Sequence, residues 1–166
     1  MKTIDLEQFL ACKDGLAFAQ SKSSLIEAWN TCERGDWMLC FARILGCPLH
    51  LFTLTKGKCA ETVIHLMHDE RSINAVKVAI DFGNGRASRE ELDAAYCAAD
   101  AAADAATDAA YCAAASAADA DSDSDAVAVY AAYAAGGAYC TEKENLLQTS
   151  NICREILTDF IKSKIT

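Results

Sequence analysis

Four aspartates, Asp93, Asp100, Asp104 and Asp108, interrupt an alanine-rich run at spacings of seven, four and four residues. At about 100° per residue on a helix, these spacings place all four carboxylates in one stripe about 80° wide. The like-charge repulsion costs about 0.2–0.5 kcal/mol per i,i+4 pair, which alanine's helix propensity offsets. Such a stripe suits a cationic partner. A plain solvated face is the alternative, although solvated faces usually mix signs and no base is interleaved here. Further along, "DADSDSDAVAVYA" sets Asp121, Asp123 and Asp125 at alternate positions, the pattern that opens a calcium loop. Counting from Asp121, alanine occupies both the sixth position, which needs glycine, and the twelfth, which needs glutamate. The segment therefore reads as a helix break whose Asp and Ser residues supply caps.

Other residues that could ligate or react are scattered. His65 and His68 stand three apart, with Cys59 and His50 upstream. Helical metal pairs favour i and i+4, and no third ligand has a fixed spacing, so no metal is expected. The nine cysteines form no CxxC pair and are odd in number, which fits neither a disulfide framework nor a zinc module. Each is read as a small buried hydrophobe in a reducing compartment. The sequence contains no nucleophile elbow, phosphate loop or dinucleotide fingerprint; the one GNG, at 83–85, follows a predicted helix where a Rossmann loop follows a strand. Neither an enzyme nor a cofactor is called for.

The charge is segregated. The chain has 24 acids and 15 bases, a formal charge of −9. Residues 89–125 hold ten acids and one base, Arg89, so this segment carries the whole excess and the remainder is neutral. Nucleic acid and anionic membranes, which need clustered Lys and Arg, are poor partners for such a chain. Asp5 and Glu7 interrupt what would have to be the apolar run of an export signal. The longest uncharged stretch, 126–141, falls short of the ~20 strongly apolar residues of a membrane span. A cytoplasmic protein is expected.

Punctuation and 3.6-residue periodicity predict an all-α, multi-helix bundle, with one proline, Pro48, to interrupt it. Its length suits a single domain over 1–166, with short helices in 1–85 packed on long helices in 88–164. The expected helices lie near 5–12 and 15–21, from Ser23–Ser24 to Cys32, over 37–45, over 59–68, over 72–82, and from a Ser88/Glu91 capping box onward. The stretch 49–55, LHLFTLT, has strand-like alternation but no partner strand, and reads as loop or helix. Twenty-four of the 45 residues in 94–138 are alanine, which predicts two long helices broken near 121–125, with tyrosines filling what alanine cannot. An amphipathic helix over 142–164 closes the bundle.

Two stretches carry a family resemblance. "SSLIEAWNTCERGDWMLCFARILG", residues 23–46, resembles the W-x-x-C-x-x-G-D-W segment of all-α immunity proteins, group five, from bacterial polymorphic-toxin systems. Residues 59–103 are similar to that family's C-A helix, R-P-x-x-A-I helix, glycine turn and alanine-rich helix. The matching positions are Trp29, Cys32, Gly35, Asp36, Trp37 and Arg71. The chain departs from the pattern at Ser72, where the family tends to have proline, at Phe82, where it often has tryptophan, and in its alanine helix, which carries aspartates in place of arginines. The resemblance implies an all-α protein that neutralises a co-encoded toxin by binding it, and it supplies no catalytic residue. Asp36 and Arg71 also have structural readings: Asp36 as the cap of a helix opening at Trp37, and Arg71 as the partner of a nearby carboxylate.

Together these readings lead to a binding protein that occludes a basic protein partner through Asp93, Asp100, Asp104, Asp108, Asp121, Asp123 and Asp125. Two alternatives remain: an acidic DNA mimic that inhibits a nucleic-acid-binding enzyme, and a structural or interaction protein with no toxin partner.

Overall fold

The computed structural model describes residues 13–105 and 142–165. Among them lie seven α-helices and no strand. The helices are α1 (Lys13–Gln20), α2 (Leu25–Thr31), α3 (Gly35–Ile44), α4 (Leu49–Glu61), α5 (Glu70–Gly83), α6 (Arg89–Ala105) and α7 (Glu142–Ile165), with a 3₁₀ turn at Ile64–Leu66 between α4 and α5. The expected all-α bundle is what forms. The expected helix at 5–12 and the part of the alanine-rich helices between 106 and 141, together with Asp108, Asp121, Asp123 and Asp125, lie outside the described residues, while the helix expected over 142–164 forms as α7.

Local signals set several boundaries as the sequence predicts. Ser24 caps α2, its hydroxyl accepting from the Glu27 N–H. The capping box before α6 is complete: the Ser88 N–H donates to Glu91 Oε2 at 2.7 Å, and the Glu91 N–H to Ser88 Oγ at 3.2 Å. Other boundaries move. The strand-like stretch from Leu49 opens α4, which takes Pro48 as its N-cap residue and runs to Glu61. The helix expected over 59–68 is therefore replaced by the end of α4, the 3₁₀ turn and a link. Burial on nearly every side explains α4. From Phe52 to Ala60 it is enclosed by α5 and α7, so period-2 alternation has no wet face to mark. Helix α5 starts at Glu70, earlier than expected, because the Asp69 carboxylate caps it by accepting from the Arg71 N–H at 2.8 Å.

Small residues let these helices approach closely. A Cβ on Gly57 would lie 2.9 Å from Ile80 Cγ1, and one on Gly83 would lie 2.7 Å from Leu54 Cα, so α4 and α5 cross antiparallel with backbone nearly in contact. Ala75 of α5 and Ala95 of α6 pack together with Val78, Tyr96 and Ala99, the alanine-and-tyrosine packing expected of this region. The largest core cluster forms elsewhere. On α7, Ser150, Cys153, Leu157 and Ile161 make one fully buried stripe at spacings of three and four, and the last three pack with Trp29, Met38, Phe41, Phe52 and Cys59 from α2, α3 and α4 and with Cys32 just after α2.

Candidate functional site

Three of the six positions marked by the sequence resemblance, Trp29, Cys32 and Gly35, converge on α7. Trp29 is 2 % exposed; its indole N–H donates to Thr158 Oγ1 at 3.0 Å and its ring stands 6.2 Å from that of Phe41. One turn earlier on α7, Arg154 holds the α2–α3 link. Its guanidinium donates to the Cys32 carbonyl at 2.6 Å, to Ser150 Oγ at 2.9 Å and to Asn151 Oδ1 at 2.8 Å. Cys32 is the C-cap residue of α2, so Arg154 satisfies a carbonyl left free by the helix end. Gly35 then opens α3 directly against α7: a Cβ there would lie 2.7 Å from Thr149 Cβ and 2.9 Å from the Thr149 carbonyl carbon. No residue but glycine fits without a shift of one helix.

Asp36 does not cap a helix at Trp37. Helix α3 begins two residues earlier, at Gly35, and Asp36 sits in its first turn, where a carboxylate meets the positive end of the helix. It pairs side-on with Arg34, Nε to Oδ1 at 2.9 Å and Nη2 to Oδ2 at 2.6 Å. The Arg34 guanidinium lies 4.7 Å over the Trp37 ring, and that ring stands 5.7 Å from Phe18 of α1. Trp37 thus serves the α1 side while Trp29 serves α7. Arg71 takes its expected structural role, donating from Nε and Nη2 to the two Asp69 oxygens at 3.1 and 2.9 Å. The Arg71 guanidinium holds the Asp69 carboxyl at about 2, and the Asp69 carboxylate raises Arg71 in turn.

The acidic stripe is placed in part. Asp93 pairs with Arg89 one turn before it, at 3.0 Å, so the segment's one base is already engaged. Asp100 is exposed. Asp104 lies on α6, one helical turn beyond Asp100. The described helix therefore continues the wheel on which the stripe depends.

The cysteines divide. Cys32, Cys59 and Cys153 are buried as expected, Cys40 and Cys47 are half-buried, and Cys97 is exposed on α6, against the reading of every cysteine as a core residue. Cys97 follows Tyr96 on an alanine helix only one side of which packs on α5, so its thiol faces out. Burial pushes the Cys32 thiol up. A side-chain hydrogen bond with Cys59, followed by burial, pushes the Cys153 thiol well up. His65 falls in the 3₁₀ turn and His68 in the link before α5, both exposed, so they share no helix face. Among the described residues no group of His, Cys, Asp or Glu is arranged to hold a metal ion, and no helix is long and apolar enough to cross a membrane.

Arg154 is the residue that reading the sequence misses. It stands four residues after Ser150 and next to Cys153, at the edge of the buried stripe of α7, and that i,i+4 placement is the signal that could have marked it. No family model, curated protein or solved structure matches the chain.

Proposed function

We propose that this chain is a binding protein that neutralises a basic protein partner, of the kind an immunity protein blocks, by covering it with the acidic face that begins on α6. The observation that carries the reading is the segregation of charge. All of the net −9 belongs to residues 89–125, the segment's one base is paired with Asp93, and no Lys or Arg occurs between Glu90 and Glu142. A field of one sign on one face speeds encounter with an oppositely charged partner and makes association sensitive to salt. The exposed Asp100 and the continuing helix through Asp104 support it. In this reading Trp29, Cys32 and Gly35 act by packing α2 and α3 on α7 and touch no partner.

The test uses the product of the gene beside this one, a toxin if the reading holds. Changing Asp100, Asp104 and Asp108 together to Asn should slow association at least tenfold at low salt and flatten its salt dependence, while the thermal midpoint stays within a degree or two of the parent, since surface substitutions shift stability by about 0.5 kcal/mol or less. Unchanged affinity and salt slope would remove the acidic face from the interface. Displacement of the chain from an enzyme by duplex DNA would instead identify a DNA mimic.

A further inference from the structure

Three cysteines from three parts of the chain, Cys32, Cys59 and Cys153, meet in the main core. Cys59 of α4 points its Sγ at the Thr149 carbonyl oxygen of α7, 3.9 Å away. In an α-helix that oxygen belongs to the turn that closes on the N–H of Cys153. Cys153 in turn points its Sγ at the Gly35 carbonyl oxygen, 3.7 Å away, with Gly35 itself lying against Thr149. The two thiols therefore flank the same turn of α7, and a disulfide between them requires Cα atoms roughly 4.4–6.8 Å apart with Cβ atoms that face each other. Both are free. Cys59 keeps 5 % of its surface exposed and Cys153 none.

We propose that Cys59 and Cys153 are an oxidisable pair, closed by a peroxide into a disulfide that clips α4 to α7. The Cys59 sulfur, the more accessible, attacks the peroxide: an S–O bond forms, the O–O bond breaks, and one water leaves with the thiol proton. The Cys153 sulfur then displaces the hydroxyl of the Cys59 sulfenic acid, its own proton leaving with that hydroxyl as a second water. Two thiols and one hydrogen peroxide thus give one disulfide and two waters. Cys153, with none of its surface exposed, is shielded from a peroxide in solution and takes the second, resolving position. The closed loop runs from residue 59 to residue 153 and contains the entire acidic segment 89–125. Oxidation would tie both flanks of that segment to one covalent ring and stabilise the fold chiefly by restricting the unfolded chain. This inference stands apart from the choice of partner.

The test treats the full chain with a small excess of hydrogen peroxide, blocks free thiols after unfolding, and maps peptides without reduction. The expected result is a mass loss of two hydrogens, a peptide linking Cys59 to Cys153, and a thermal midpoint raised by roughly 5–15 °C that dithiothreitol returns to its starting value. Recovery of Cys59 and Cys153 as free thiols, with oxidation confined to the exposed Cys97 or to links between chains, would overturn the proposal. Cys153→Ala should lose the peroxide-induced rise, and a rise equal to that of the parent chain would overturn it equally. The peptide map of the unsubstituted chain decides the question if that variant does not fold.

Discussion

The α7 clasp and the acidic run of α6 are built from opposite materials. The clasp uses large or uniquely small residues whose place is fixed by neighbours on every side: Trp29 under Thr158, Gly35 against Thr149, Arg154 on the Cys32 carbonyl. The run uses alanine and aspartate, which form a helix with little help and leave one face to water. The clasp therefore carries stability and the run carries charge. Trp29 and Cys32 of the W-x-x-C-x-x-G-D-W stretch are buried and mark how the chain packs.

This division can be broken by experiment. Trp29→Ala should have the largest effect, about 3–5 kcal/mol of lost stability read by denaturant unfolding, because it empties a core site and leaves Thr158 without its donor. A loss no larger than that of an exposed substitution would mean the clasp is not the centre of the fold. Gly35→Ala comes next, at about 1–3 kcal/mol, because its new methyl meets both the side chain and the backbone of Thr149. Thr149→Ala should recover only part of it, since the Thr149 backbone remains in the way. Smallest is Asp69→Asn, which keeps a cap acceptor for α5 but removes the charge that Arg71 holds. The Asp69 carboxyl is depressed to about 2 in the folded chain, below the ~3.9 of an unfolded one, so its contribution is present above about pH 4 and is lost as pH falls toward 2. A small fall in thermal midpoint at pH 7 that vanishes near pH 2 is expected. A difference that persists at pH 2 would trace the effect to the cap and not to the ion pair.

Much of the fold is legible in the sequence where a local rule and the tertiary environment agree. The Ser24 cap, the Ser88/Glu91 box and the apolar stripe of α7 are of this kind. The misses share one cause. Alternation in LHLFTLT marks a strand only if one face is wet, and α4 is enclosed. A helix over 59–68 satisfies periodicity, but Asp69 caps α5 and the chain must turn through 62–69 to bring α5 back along α4. Asp36 looks like a cap until α3 is seen to start at Gly35. The candidate site was legible as a charge pattern and not as a geometry, since a wheel predicts which carboxylates share a face but not which bases reach them; Arg89 reaches Asp93.

The sequence by itself determined the helical class and the segregation of charge, because alanine propensity, caps and sign patterns act within a few residues of the chain. Tertiary structure alone decided which residues the core depends on, because close packing joins positions more than a hundred residues apart. Trp29 meets Thr158, the Cys32 carbonyl meets Arg154 and the Gly35 carbonyl meets Cys153 only when α7 returns to the start of the fold.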